Sequence, residues 1–347
     1  MSRDRRPRFV MRGSRVAQIV VTRSFAGVER HVCDVSNELA RRGWDAAVVG
    51  GDRTRMRRAL VPEVRWLPGG QPLQALASLA RIGSQDVCHV HMTLAEGVGL
   101  AARRFHRAPV IATRHFAAHR GKTRVGAFGA PHIARRLSRE LAVSEFVASR
   151  LERRPEAVIH NGVPPSPVLW DVGSRVVLVL QRLEPEKDTL TALRAWEASR
   201  LVEEGWSLRV VGEGHECGAL ERWVRECGVE GVSFSGWVAD VSDVLASAGM
   251  LVASARAEPF GLAVVEAMMA GVPVVAAAAG GHLETIAQAE GAPLFPAGDH
   301  ATAAAALRSL ADDSTRAAVS ASVRALAVAH FSITAHIDAL LEQYALA

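Results

Sequence analysis

The chain is 347 residues long, 49% hydrophobic and 22% charged, with 41 Lys and Arg against 36 Asp and Glu for a formal net charge of +5. That length suits two domains of ordinary size better than one small core, and the composition excludes a disordered or fibrous chain. No apolar run is long enough to span a membrane, since the best candidate is broken by Glu266 and Pro273.

In chain order, the first dozen residues read as a basic tail. Arg5-Arg6 has the form of a twin-arginine signal, but the apolar run behind it, Val16 to Val21, is far too short for a signal core. Short β-branched runs then alternate with helical stretches, the pattern of βα units around a parallel sheet. Strands are expected at Val16–Val21, Ala46–Val49, Val64–Leu67, Val87–His91, Val110–Thr113, Leu141–Val143 and Ala157–Ile159. Between the first two, GVERHVCDVSNELARRG keeps Val28, Val32, Val35 and Leu39 on a helical period until Gly43 stops it. His160–Ser174, rich in Pro and Gly, reads as a linker. The alternation restarts with strand Val176–Leu180, a helix near Asp188–Glu204, strand Leu208–Val211, helix Glu216–Glu226 and strand Val232–Phe234. Strand Met250–Ala253 leads into EPFGLAVVEAMMAGVPVVAA (Glu258–Ala277), which holds a helix from near Gly261 to Gly271 and a strand at Pro273–Ala276. Two Ala-rich helices follow, and HFSITAHIDALLEQYALA closes the chain as an amphipathic helix. The expected fold class is therefore α/β, with two doubly wound Rossmann-like domains. Ligands would bind in the crevice at the C-terminal ends of the strands.

Charge divides unevenly between the halves. Residues 1–170 carry 28 Arg and 1 Lys against 13 acidic residues, a net of +16, and residues 171–347 carry 11 Arg and 1 Lys against 23, a net of −11. Coding bias explains Arg over Lys but not the asymmetry, so an anionic partner or membrane surface for the first half stands beside the plain reading of solvated faces. The four cysteines, Cys33, Cys88, Cys217 and Cys227, form no CxxC pair, which fits a reducing cytoplasm, with peripheral placement at the inner membrane face as an extension.

Three stretches suggest chemistry. In the first, Glu258 lies on the loop after a strand and Glu266 one and a half turns into the next helix. The N-terminus of that helix is a natural seat for a diphosphate, and a carboxylate at Glu266 is placed for a vicinal diol such as a ribose. Spacing alone favours the plainer reading, two surface glutamates on an amphipathic helix. In the second, VLQRLEPEKD, Arg182 and Lys187 occupy the first βα loop of the second domain, where two cations would neutralise a leaving diphosphate; taken as a bare pair with Glu184 and Glu186 beside them, a solvated ion-pair cluster is the default. In the third, SFAGVERHV, Gly27 precedes a helix N-terminus and serves either a ligand or the turn.

These stretches, in this order, resemble the GT-B glycosyltransferases of family 4, the retaining nucleotide-sugar transferases, from about Val16 to the terminal helix. The most specific element is the E-x7-E motif, Glu258 to Glu266, supported by RLEPEK, VVGEG (Val210–Gly214), FSGWVADV (Phe234–Val241), VIHNGVP (Val158–Pro164) and GGHLETI (Gly280–Ile286). The resemblance implies an acceptor domain at 1–165, a nucleotide-sugar domain at 166–328 and a terminal helix, 329–347, returning to the first domain. It implies that Glu266 binds the ribose and Glu258 a donor-sugar hydroxyl, and that amides around Phe260, Gly261 and Leu262 meet the sugar and diphosphate. Arg182 and Lys187 would stabilise the departing diphosphate, His115 would approach the donor sugar, Gly27 would lie beneath the diphosphate or acceptor, and the loop of Gly214 would lie near the nucleotide. The chain departs from the family pattern at Ala26, Gln181 and Asp188, each of which stands where glycine is usual. An acidic Asp188 there would weaken the local positive field.

The implied reaction moves a hexosyl unit from a nucleoside diphosphate sugar, the co-substrate, to a saccharide, lipid-linked or small-molecule hydroxyl. UDP-sugar is favoured over GDP-sugar on family frequency. No cofactor and no metal are expected, since no D-x-D motif occurs. The rivals are a nucleotide-sugar epimerase or hydrolase and a non-catalytic nucleotide-sugar-binding protein. Look-alikes are weaker. Gly212-x-Gly214 follows a strand, but the acidic residue an NAD site wants about 20 positions on is missing. His89 and His91 share a strand face without further ligands, and His115 and His119 lack the glutamate of a metalloprotease helix. The clusters DRTRMRR and RRFHR lack the interleaved aromatics of a nucleic-acid surface.

Overall fold

Strands buried on both faces read as continuous apolar runs and pair in parallel when helices cover both sides, and this chain builds two such sheets. The computed structural model describes residues 13–120, 130–238 and 240–347. It divides into one unit of Met1–Pro164 with Ile333–Ala347 and a second of Pro165–Ser332.

The first unit holds β1 (Arg15–Val20), β2 (Asp45–Gly50), β3 (Arg65–Leu67), β4 (Val87–His91), β5 (Val110–Arg114), β6 (Arg139–Ala142) and β7 (Ala157–Val158). Their order is β3-β2-β1-β4-β5-β6-β7, with every neighbouring pair parallel, so the winding reverses between β1 and β4. Alternate residues of β1 serve opposite faces. Val16 packs with Val32, Val35 and Leu39 of helix Gly27–Arg41, whereas Ala17 and Ile19 pack with Val90, Val98 and Leu79. The terminal helix, Ile333–Ala345, completes the first of these cores with Ile333, Ile337, Leu340 and Tyr344. Polar contacts fix its start: the Ile333 N–H donates to Val163 O at 2.9 Å, and Arg42 donates to Thr334 O at 3.0 Å.

The second unit holds β8 (Val176–Leu180), β9 (Ser207–Val211), β10 (Val232–Phe234), β11 (Met250–Ala253), β12 (Val274–Ala277) and β13 (Leu294–Phe295). The order β10-β9-β8-β11-β12-β13, again all parallel, reverses between β8 and β11. The helix expected across 188–204 is in fact Thr189–Ser199, closed by Arg200 in the left-handed region at φ 56° and followed by a 3-10 turn, Leu201–Glu204. Strand β13 is only two residues long, too short for an alternation to announce it. Among the described residues no helix is long and apolar enough to cross a membrane.

Because the terminal helix, starting at Ile333, supplies core residues to a sheet whose last strand ends at Val158, truncating one of them should act globally on the first unit. Ile337→Ala, at a fully buried site, is expected to cost about 2–5 kcal/mol in urea unfolding. A cost below about 1 kcal/mol would mean that the helix is only loosely seated.

Candidate functional site

In the second unit the predicted donor-site residues gather where β8 and β11 end. Lys187 closes the 3-10 turn Pro185–Lys187, and its ammonium donates to the Glu258 carboxylate on the loop after β11. The two side chains are only 15% and 13% exposed. Burial opposes ionisation of Glu258, yet the Lys187 charge, the neighbouring His282 and the Phe260 N–H together hold its pKa below the usual carboxylate range. The loop that carries Glu258 rests on the turn after β12. Gly281 N–H donates to Glu258 O at 2.7 Å, and a Cβ on Gly280 would lie 2.3 Å from that same oxygen, so only glycine lets the two backbones approach.

Helix Leu262–Ala270 follows. Its N-cap is Gly261 in the left-handed region at φ 97°, and the buried Phe260 side chain packs edge-on against Phe331. The Phe260 side chain is thus turned into the core and its N–H towards Glu258, while Gly261 and Leu262 stand at the donor-rich end of the helix. Glu266 is half-buried on this otherwise apolar helix. The C-terminus of the helix is anchored by Ser320, which donates to Gly271 O at 2.6 Å, and by Trp170 N–H on Ala270 O at 3.0 Å. Arg182 is exposed and paired with Glu186 at 2.6 Å. Gly214 packs against backbone, since a Cβ there would lie 2.1 Å from Leu183 O.

The departures at 181 and 188 are accommodated here. The Gln181 side-chain amide donates to Lys187 O at 3.2 Å and Thr189 Oγ1 at 3.0 Å, while Ser254 donates to Lys187 O at 3.0 Å; the substitution thus braces the Lys187 backbone. Asp188 has φ 48°, a left-handed conformation that Asp tolerates better than most side chains. Its carboxylate accepts from Thr191 Oγ1 at 2.7 Å and from Arg256 Nε at 2.6 Å. Its charge is therefore matched by Arg256, so the expected weakening of the positive field is offset. His282 and Arg256 belong to this constellation as well; no spacing in the sequence marks Arg256, and only the GGHLETI stretch marks His282.

In the first unit, Gly27 opens helix Gly27–Arg41 and is exposed, with the preceding Ala26 N–H donating to Glu29 Oε2 at 2.7 Å. His115, just beyond β5, is buried, with Nε2 2.9 Å from His91 Nδ1. It belongs to a cluster with His31, His89, His91 and His336. Ring centroids are 5.9 Å apart for His31 and His115 and 4.8 Å for His31 and His336. Burial, reinforced by the neighbouring imidazoles, depresses the pKa of His31, His89, His91 and His115 well below the ordinary value, and burial lowers His336 to about 4. Among the described residues no group of three or more His, Cys, Asp or Glu is arranged to hold a metal.

The family description Glycosyltransferase Family 4 matches residues 25–166, and Glycosyl transferases group 1 matches residues 166–325. The chain belongs to the GT-B glycosyltransferases of family 4. A phosphatidyl-myo-inositol mannosyltransferase of Mycobacterium leprae is 29% identical over 66% of this chain and 64% of its own length, a little under two thirds of that relative. A GDP-mannose-dependent alpha-mannosyltransferase of Mycobacterium tuberculosis is 29% identical over 83% of this chain and 85% of its own. Among solved structures, Anabaena HepE in complex with UDP and glucose superposes with a TM-score of 0.77 at 21% identity, covering 94% of this chain and 98% of that one. Sucrose-phosphate synthase from Thermosynechococcus elongatus gives 0.74 at 19% identity, covering 95% and 98%.

Two outcomes follow from this chemistry. Lys187→Met leaves a largely buried carboxylate without its cation, so the pKa of Glu258 should rise and the second unit should lose about 1–3 kcal/mol. Most of that loss should be recovered in Lys187→Met/Glu258→Gln, and a double-mutant cycle without coupling would rule the pair out. The histidine cluster has a folded pKa below the unfolded 6.5 at each position, so the unfolded chain binds protons first as the pH drops. Stability is then full above about pH 6.5 and lost as the pH falls through the folded values, about 4 for His336, at up to about 1.4 kcal/mol per pH unit per group. Urea midpoints that stay level between pH 7 and pH 5 would contradict the cluster's neutrality.

Proposed function

We propose that this protein transfers a hexosyl unit from a nucleoside diphosphate sugar to an acceptor hydroxyl with retention of anomeric configuration. The observation that carries the reading is the Lys187–Glu258 pair, held beside the N-terminus of the helix that bears Glu266. An ammonium has three donors. One engages Glu258, and the others are available to diphosphate oxygens. Glu258, kept ionised, accepts from a sugar hydroxyl, and Glu266 accepts from the ribose diol. The roles that the family resemblance gives His115, at the donor sugar, and Gly27, at the diphosphate or acceptor, belong to this proposal.

Cleavage of the glycosyl–phosphate bond develops positive charge at the anomeric carbon and negative charge on the leaving diphosphate. Lys187, Arg182 and the amides at Gly261 and Leu262 oppose the second charge, each contributing about 2–4 kcal/mol to the transition state. These cations fill the role a divalent metal plays elsewhere, so activity is expected to survive EDTA. Retention follows from front-face attack by the acceptor as the diphosphate leaves. Two relatives are named for GDP-mannose dependence, which favours a guanosine donor ahead of the uridine expected on family frequency. The relative named for phosphatidyl-myo-inositol and the basic first half support a lipid-linked acceptor at an anionic membrane surface.

Thermal unfolding against GDP, UDP, ADP and TDP, with Glu266→Ala alongside, tests the donor site. A ligand at about 100 times its dissociation constant adds roughly 2.7 kcal/mol. One nucleotide should shift the midpoint in the natural protein and fail to do so in the variant. No shift with any nucleoside diphosphate would sink the reading. Turnover of the sugar nucleotide without acceptor would instead identify an epimerase or hydrolase.

A further inference from the structure

His115 is one end of a continuous hydrogen-bonded chain that crosses three strands of the first unit and reaches the terminal helix. His115 Nε2 lies 2.9 Å from His91 Nδ1, and His91 Nε2 lies 2.8 Å from Gln18 Oε1. Gln18 Nε2 donates to the Tyr344 hydroxyl at 3.1 Å. That hydroxyl is 2.7 Å from His89 Nδ1, and His89 Nε2 is 2.7 Å from Thr113 Oγ1. All six residues are buried.

A neutral imidazole has one N–H and one lone pair, so each link dictates the next. Gln18 donates to Tyr344, so the phenol proton goes to His89 Nδ1, and His89 carries its proton on Nε2 and donates to Thr113. At the other end Gln18 Oε1 accepts from His91 Nε2–H, which leaves His91 Nδ1 as acceptor for His115 Nε2–H. The one nitrogen that this chain of bonds leaves without a partner is His115 Nδ1, as a lone pair. Only one other assignment is self-consistent, the reverse, in which the Gln18 amide is turned over and every proton moves to the opposite nitrogen. Neutrality of all three histidines is supported by their depressed pKa values, to which His31 and His336, the other titratable groups packed around His115, contribute.

We propose that Gln18 and Tyr344 are positioning residues that fix His115 as its Nε2–H tautomer, which leaves Nδ1 a lone pair able to accept from a sugar hydroxyl. The tautomer rests on the chain with Gln18 oriented as found, its Nε2 on Tyr344 and its Oε1 on His91, whereas the sugar rests on the function proposed above. The terminal helix thereby acts on specificity as well as on stability: a hydroxyl can donate to this nitrogen, and a ligand group with only lone pairs finds no partner there.

Long-range proton–nitrogen NMR of ¹⁵N-histidine-labelled protein at pH 7.5 reads the tautomers directly, with His115→Gln and His91→Gln for assignment. Neutral Nε2–H signatures are expected at His89, His91 and His115. Gln18→Met removes the acceptor for His91 and should move His115 towards Nδ1–H. Gln18→Glu keeps an oxygen facing His91 and should preserve the Nε2–H signature at His115, although it removes the donor to Tyr344. Tyr344→Phe, by freeing the Gln18 amide, should give a mixture. With the nucleotide sugar that the shift assay selects, Gln18→Met and Tyr344→Phe should raise KM roughly 3- to 10-fold, the worth of one hydrogen bond, and Gln18→Glu should restore it. An Nδ1–H or imidazolium signature at His115 in the natural protein overturns the proposal, as does a Gln18→Met protein with the natural tautomer and KM. Should the tautomers appear as expected while no sugar nucleotide binds, the chain of hydrogen bonds stands and the transferase reading with its sugar hydroxyl falls.

Discussion

The polar centre of the first unit depends on the parallel register of β1, β4 and β5. That register sets Gln18 opposite His89 and Val20 opposite His91, and it sets His91 opposite Thr113. Side chains alternate along each strand, so a slip of one residue would turn the polar set to the other face and leave it among Ile19, Val90 and Ala112. An apolar core tolerates small errors of packing. A buried chain of polar groups does not, because each unmade link costs the desolvation of both partners. The register is thus specified twice, by apolar burial and by hydrogen bonding.

The return of the chain at Ile333 follows from the same requirement. Without Tyr344, Gln18 and His89 would each face an apolar void or water with one bond unmet. The terminal helix brings one phenol that satisfies both, while Ile337 and Leu340 close the apolar side around it. The last residues of the chain are therefore part of the first unit's core, although in sequence they follow the whole of the second.

Much of the fold was legible in the sequence. The β-branched runs predicted twelve of the strands within a residue or two, because strands covered on both faces leave an apolar signature that survives without neighbours. Arg200 was not legible as a helix stop, since nothing marks an arginine for the left-handed region except the turn it must close. The candidate site was legible as residue types at spacings, Glu258, Glu266, Arg182 and Lys187, but not as pairs. Sequence placed Arg182 and Lys187 together as two cations, whereas Lys187 pairs with Glu258 and Arg182 stays exposed on Glu186. His89 and His91 looked like an incidental strand face because their partners, Gln18 and Tyr344, lie 71 and 255 positions from His89.

Asp188 shows why a departure from a family pattern has to be judged at the backbone. The conformation at that position has positive φ, so glycine is the easy residue and most side chains are strained there. Asp is among the few that enter the region at modest cost, and its carboxylate then needs a partner close by. Thr191 and Arg256 supply it, one from the helix that Asp188 caps and one from the loop that carries Glu258. The substitution thereby ties the loop after β8 to the loop after β11 by a second ion pair beside Lys187–Glu258. Glycine at 188 would leave that geometry to the first pair and to the Ser254 hydroxyl on Lys187 O. The acidic residue that seemed to oppose an anionic ligand thus adds rigidity to the pair of loops that would bind it, and Gln181 does the same from below through the Lys187 carbonyl.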